Sequence, residues 1–245
     1  MGSKVYAILG DIHANIDALN AVLIDARSCG VTDFVSVGDV VGYNAAPVEC
    51  IKIVRDELGC PVVRGNHDHY ISHDVELRDF SPNAAIGVKW TRSQLNEKDL
   101  KWLHDLPLSR AVMGFTLVHS TLDMPDQWGY VFDAEQAKAN FSFQRTALCF
   151  HGHTHVPIVY AQTSTGMFVC DPEDFKVSMG IRFFINVGSV GQPRDGDPRA
   201  SYVIFDATSR NVYFRRVPYD VEAAQERIRK AGLPEALALR LGRGS

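Results

Sequence analysis

Two histidines close an apolar run in Leu148-Cys149-Phe150-His151-Gly152-His153-Thr154-His155-Val156-Pro157. In an extended segment, side chains at i and i+2 share a face. The spacing therefore predicts that His153 and His155 present two imidazoles to one point just past a strand. A histidine pair at a strand end is also common as plain solvated surface, so the pair alone leaves both readings open. Further polar residues follow apolar runs elsewhere: Asp11, His13, Asp39, Asn66 and His119. Together these make two carboxylates, one amide and four imidazoles. Oxygen and nitrogen donors without thiolates suit Mn²⁺, Fe or Zn²⁺ better than Ca²⁺ or Mg²⁺. Seven donors exceed the needs of one ion. Two ions sharing a carboxylate would use them, as in phosphoester-cleaving sites with metals about 3.5–4 Å apart.

The elements that must position these residues are visible in the hydrophobic pattern. Val5-Tyr6-Ala7-Ile8-Leu9 reads as a strand buried on both faces and delivers Gly10-Asp11-Ile12-His13. Asn15 can cap a helix with Ile16, Leu19, Val22, Leu23 and Ala26 on one face, ended by Gly30. Phe34 to Val37 is a second strand, leading to Gly38-Asp39. Pro47 opens a second helix with Ile51, Val54 and Leu58 on its apolar side. Pro61-Val62-Val63 starts a third strand ending at Arg64-Gly65-Asn66-His67-Asp68. Strand, helix, strand, helix, strand implies a parallel sheet, whose functional side chains collect at the carboxyl ends.

Helical patterning resumes from about 83 to 94 and 96 to 103, with Trp90 and Trp102 read as core anchors. Residues 110–115 and 116–118 read as strands turning near Gly114, the second ending at His119. A loop with Pro125, Trp128, Gly129 and Tyr130 precedes a short helix over 134–139, and 146–150 is the strand entering the histidine pair. After Pro157, five β segments (158–161, 167–170, 182–187, 201–205, 212–217) suggest hairpins forming a second sheet. Gly188 to Pro198 reads as a turn-rich connector. Asp220 can cap a helix through Lys230, with Glu226 and Lys230 at a supporting i,i+4 spacing, and Pro234 opens another to about 241. With no internal repeat or low-complexity linker, residues 1–245 read as one domain with tail helices over about 220–242.

Composition bounds the function. The chain has 245 residues, 46% hydrophobic and 22% charged, enough for a sizeable core. A net charge of −4 argues against general nucleic-acid or anionic-membrane binding, while a bound cation could still serve a phosphate substrate. The five cysteines (Cys29, Cys50, Cys60, Cys149, Cys170) form no C-x-x-C pair and read as buried, reduced thiols. No charged-then-apolar leader follows Met1, and no apolar run approaches the roughly 20 residues that span a bilayer. The expected location is cytoplasmic.

The set Asp11-x-His13, Gly38-Asp39, Gly65-Asn66-His67-Asp68, Val118-His119 and Gly152-His153-Thr154-His155 resembles the five-block signature of the calcineurin-like metallophosphoesterase superfamily, in order over residues 11–155. Gly38 to Tyr43, the Trp128–Tyr130 loop and Asn186 to Arg194 resemble a bacterial and archaeal branch of small phosphodiesterase-like members. That branch includes proteins similar to diadenosine tetraphosphate hydrolases and to protein phosphatases. The resemblance implies an α/β fold, a four-layer α-β-β-α sandwich of two mixed sheets flanked by helices. It also implies ligand sides: Asp11, His13 and His155 for one metal, Asn66, His119 and His153 for the other, and Asp39 between them. Ser120 stands where many members have glycine, and Val187 where proline is common.

On that resemblance the expected activity is hydrolysis of small phosphodiester or nucleotide substrates by a hydroxide bridging two divalent ions, Mn or Fe before Zn. His67, outside the ligand set, is the expected proton donor to the leaving oxygen, with Asp68 expected to orient it and raise its pKa. Arg64 and Arg194 are candidate phosphate contacts, and Trp128 and Tyr130 could stack on a base. His69 and His73, at i,i+4, could bind metal on a helix but read better as a solvated face, and His151 as a packed strand residue. Two alternatives remain. One is a phosphoprotein Ser/Thr phosphatase. The other is a non-catalytic metal-binding scaffold of the same fold, which would be expected to have lost ligands or His67.

Overall fold

The computed structural model describes residues 4–77 and 80–245. The expectation about a leader after Met1 falls on residues 1–3 and lies outside them. Val5–Leu9 forms β1. Asn15 then accepts the Ala18 N–H and caps α1, Ile16–Ser28, which ends at Gly30 with φ 77°. Strand β2 is Asp33–Ser36. The helix opened by Pro47 is α2, Pro47–Ile51, and it widens into a π-helical turn over Lys52–Glu57. The Leu58 N–H reaches back to Ile53 O at 2.8 Å, a wider loop than the regular helix expected there.

Helices α3 (Asn66–Ser72), α4 (Pro82–Gln94) and α5 (Glu97–His104) follow. Ser81 and Asn96 cap the last two by accepting the Ala84 and Asp99 N–H groups. Trp90 and Trp102 are partly buried, each at the margin of an apolar cluster. Strands β3 (Ser109–Val112) and β4 (Phe115–Val118) turn through Met113-Gly114. Helix α6 (Ala134–Phe143) runs a turn longer than its sequence pattern, before β5 (Leu148–His151). The chain continues as β6 (Ile158–Gln162), β7 (Met167–Cys170), a short unexpected β8 (Phe175–Lys176), β9 (Arg182–Asn186), β10 (Ala200–Asp206), β11 (Asn211–Val217), α7 (Val221–Lys230) and α8 (Glu235–Arg243). No helix among the described residues is long and apolar enough to cross a membrane.

Both sheets are mixed. One has the order β2-β1-β10-β11-β8 and the other β3-β4-β5-β9-β6-β7. The expected split into an early parallel sheet and a late β sheet is therefore wrong. β1 and β2 do pair in parallel, but Val62 contributes one bridge to Ser36, and β10 and β11 return to β1 rather than joining β6 and β9. Alternation explains the layers. Tyr6 and Ile8 face the gap between the sheets with Phe115, Phe150, Val203 and Phe205, while Ala7 and Leu9 face Leu19 and Val22 of α1. On the far side, Cys149, Tyr160 and Phe184 pack on Ala137 and Phe141 of α6. The result is helix, sheet, sheet, helix. The tail helices close over Tyr43 and Trp90 through Ile228, Leu237 and Leu241. Of the cysteines, Cys50 and Cys149 are buried and Cys60 is half-buried, but Cys29 and Cys170 are exposed, against the expectation of burial.

The parallel strands β1, β2, β4, β5 and β9 deliver their carboxyl ends to one edge, where all the candidate donors sit. Gly38 holds that edge together. Its φ is +97°, and a Cβ there would stand 2.6 Å from Gly65 N and 2.8 Å from Val63 O. Gly38→Ala should cost about 2 kcal/mol or more in denaturant unfolding, because strain and overlap with main chain add. Gly30→Ala, also at positive φ but in open space, should cost only about 1 kcal/mol. Equal unfolding midpoints for the two variants would contradict this packing.

Candidate metal centre

Five of the candidate donors adopt left-handed backbone: Asp11 (φ 51°), His13 (48°), Asp39 (52°), His153 (70°) and His155 (62°). Such conformations are costly for non-glycine residues and persist where surroundings over-determine them. The surroundings here are specific. Gly191 N–H and Ser189 Oγ–H donate to Asp11 O at 2.9 and 2.8 Å, and Val190 N–H to Gly10 O at 2.9 Å. Asn186 Nδ2 donates to Gly152 O and Thr154 Oγ1, clamping the His153–His155 turn. The segment read as a turn-rich connector is thus buried from Gly188 to Pro193 and clasps the β1–α1 loop. Asn186 and Ser189 carry no chemical signature, so residue type could not reveal them.

The histidine pair is not extended. At positive φ, His153 and His155 diverge, and the premise that both aim at one point fails. His155 faces His13, with Nε2 atoms 3.1 Å apart, and lies 3.2 Å from Asp11 Oδ1. His153 Nδ1 stands 3.1 Å from His119 Nε2, which is also 3.1 Å from Asn66 Oδ1. Asp39 Oδ2 lies between the two groups, 3.5 Å from His13 Nε2 and 3.5 Å from His119 Nε2.

Each imidazole commits its other nitrogen to a main-chain carbonyl: His13 Nδ1 to Val41 O (3.1 Å), His155 Nδ1 to Gln192 O (2.6 Å), His119 Nδ1 to Val37 O (2.9 Å) and His153 Nε2 to Trp128 O (2.9 Å). A carbonyl only accepts, so these nitrogens carry the protons. Burial lowers the pKa of all four histidines, which keeps the rings neutral. The facing nitrogens are then bare lone pairs 3.1 Å apart with no proton to share. Burial raises Asp11 to about 6, and raises Asp39, further lifted by Asp68 and Asp11. A buried site lined by opposed lone pairs and reluctant carboxylates lacks positive charge. The donors fit divalent cations, and carbonyl-anchored imidazoles are the usual form of metal-binding histidine.

A model of the calcineurin-like phosphoesterase superfamily domain matches residues 5–210. The chain belongs to that superfamily. It is 37% identical over 245 residues to the uncharacterized protein MJ0912 of Methanocaldococcus jannaschii, covering 98% of each chain. A crystal structure of a metallophosphoesterase from Sphaerobacter thermophilus superposes with a TM-score of 0.86 at 41% identity, over the whole of both chains. A symmetrical bis(5'-nucleosyl)-tetraphosphatase of Actinobacillus pleuropneumoniae is 28% identical over 119 residues, 46% of this chain and 43% of that one. The superfamily's phosphoester hydrolysis is metal-dependent, and the clustered His and Asp side chains supply the donors.

Other expectations for this calcineurin-like chain need revision. Asp68 does not pair with His67. Its carboxylate accepts the N–H groups of Gly65, Val40 and Val41, tying the Asp39 and Asn66 loops together. Nor is His67 raised: burial, then the charge of Arg194, lower its pKa. The His67 N–H donates to Asp39 Oδ1 at 2.8 Å, and a ring nitrogen lies within 4.8 Å of donor atoms of His13 and Asp39. Arg64 turns away, donating to His104 O at 2.7 Å beside His73. His69 and His73 are not a solvated face. Their rings lie tilted against each other at 4.1 Å, and His73 stacks on His104 at 4.2 Å. His151 packs flat on Phe184. Trp128 and Tyr130 line a cavity of about 260 Å³ with Asn66, Tyr70, Phe80, Gln127 and His153, and Tyr130 stacks on His153 at 4.1 Å.

The sign of one pH dependence follows. A cation takes Asp11 as carboxylate, but burial raises its pKa to about 6, so below that pH a proton must be displaced. Mn²⁺ affinity measured by calorimetry should weaken as pH falls from 6 to 5, by about tenfold for each proton displaced. An affinity that does not change over that interval would contradict the assignment.

Proposed function

We propose that the chain is a dinuclear phosphoesterase acting on small phosphodiesters or nucleotides, with Mn²⁺ or Fe as the cations. The observation that carries this reading is the pair of opposed donor sets meeting at Asp39 Oδ2. Asp11, His13 and His155 would hold one cation, Asn66, His119 and His153 the other, with Asp39 shared. The cations would supply an acidified water and positive charge for the phosphate oxygens.

The chain's own residues do the rest. His67 is buried and neutral, so it serves as a hydrogen-bond donor to the leaving oxygen rather than as an imidazolium. Its ring is braced by Tyr43 at 4.3 Å and Phe80 at 5.1 Å, which fixes its aim. Asp68 contributes by holding the Val40, Val41 and Gly65 amides, and through them the Asp39 loop. Trp128 and Tyr130 offer aromatic faces beside Asn66 and His153. A cavity of about 260 Å³ suits one planar base better than a whole dinucleotide.

Hydrolysis of bis(4-nitrophenyl) phosphate should require Mn²⁺ and stop on chelation. Turnover of no mono- or diester with Mn²⁺ would favour a non-catalytic scaffold. Asp39→Asn should lower both metal occupancy and kcat/KM, the latter by about a hundredfold or more. His67→Ala should keep its metal and lose about 10²–10⁴-fold in rate. If metal analysis showed that His67→Ala had emptied the site, His67 would be a ligand and its donor role would fall.

A further inference from the structure

The four donor histidines are each anchored at their second nitrogen by a carbonyl, but His67 is not. Its Nδ1 is buried and has no hydrogen-bond partner among the described residues. Gly42 stands in front of it. A Cβ built on Gly42 would lie 2.5 Å from His67 Nδ1, 3.0 Å from Cγ and 3.1 Å from Cβ. Those separations leave no room for a side chain, nor for a water between the loop and the ring. A neutral imidazole keeps one proton. The sealed nitrogen offers that proton no acceptor, so it belongs on Nε2.

The loop cannot back away from the ring. Before Gly42, the Val40 and Val41 N–H groups donate to Asp68 Oδ1 at 3.0 and 3.3 Å, and Val41 O accepts from His13 Nδ1 at 3.1 Å. After it, Asn44 Nδ2 donates to His13 O at 2.8 Å, and the Asn44 N–H donates to Gly42 O at 2.7 Å. The ring is equally confined. It packs between His13 at 4.8 Å, Tyr43 at 4.3 Å and Phe80 at 5.1 Å, while the His67 N–H is held by Asp39 Oδ1 at 2.8 Å. The aim of this histidine is therefore set by contact and not by a hydrogen bond to its second nitrogen.

We propose that Gly42 is the positioning residue for His67: with no side chain there, the loop closes on Nδ1, keeps water from it and leaves Nε2–H to meet the leaving oxygen. This rests on the hydrolytic reading above, in which His67 is that hydrogen-bond donor. Gly42 also has φ 98°, a backbone conformation that any larger residue would meet with strain. The two demands on this position differ in one respect. Removing the imidazole relieves the contact and leaves the backbone strain.

A double-variant cycle with His67→Ala separates them. In metal-free protein, Gly42→Ala should lower the thermal midpoint by about 3 °C or more beyond what the same change costs in the His67→Ala background. With Mn²⁺ bound, Gly42→Ala should lose about tenfold more kcat on diphenyl phosphate, a poor leaving group, than on bis(4-nitrophenyl) phosphate, with KM within about twofold on both. In the His67→Ala background it should change kcat on the nitrophenyl ester by less than about twofold. Equal midpoint losses in the two backgrounds, or equal kcat losses on the two esters, would overturn the assignment and leave Gly42 a purely backbone role. If Gly42→Ala did not fold, the double variant should fold, and its failure to do so would also overturn the assignment. If the unaltered protein hydrolysed neither ester, the hydrolytic reading would fail, and the midpoint cycle would still decide the contact.

Discussion

Neutral imidazoles locked lone pair to lone pair are the constraint on which the structure turns. A histidine free to rotate would turn its bare nitrogen toward a donor. Here Val41, Gln192, Val37 and Trp128 carbonyls hold the protonated nitrogens, so the bare ones must face each other across 3.1 Å. Without a cation, that arrangement forfeits hydrogen bonds to water at four buried groups and gains none in return. Positive charge between them reverses the balance.

The fold supplies the rigidity that this needs. Parallel strands from two sheets end at one edge, and the loops leaving them are bonded to each other rather than to solvent. Asp68 ties the Asp39 and Asn66 loops, while the Gly188–Gln192 segment ties the Asp11 loop to the end of β9. Left-handed backbone at five donors is tolerated because these ties leave no alternative. Tyr43 extends the same logic outward. Its ring lies 4.3 Å from that of His67 and within 5.5 and 6.0 Å of the Arg194 and Arg240 guanidiniums, so the ring beside His67 also touches the last helix.

Much of this was legible from the sequence, for identifiable reasons. Strands and caps follow from local rules, as at Val5–Leu9 and Asn15. The donors stand out because carboxylates and imidazoles after apolar runs are conspicuous by type. Pairing was not legible: whether β10 returns to β1 or joins β9 depends on contacts across most of the chain. Asp68 misled because a carboxylate beside a histidine suggests an ion pair, yet neighbours in a helix's first turn point apart, and backbone amides claimed it. Asn186 and Ser189 act on main chain, and such roles have no residue-type signal.

The central claim is that the opposed donor sets hold two cations with Asp39 between them. Anomalous diffraction from crystals grown with Mn²⁺ tests it most directly. The account predicts two peaks about 3.5–4 Å apart, one at Asp11, His13 and His155 and one at Asn66, His119 and His153, both bonded to Asp39. A single peak, or manganese bound away from Asp39, would contradict it.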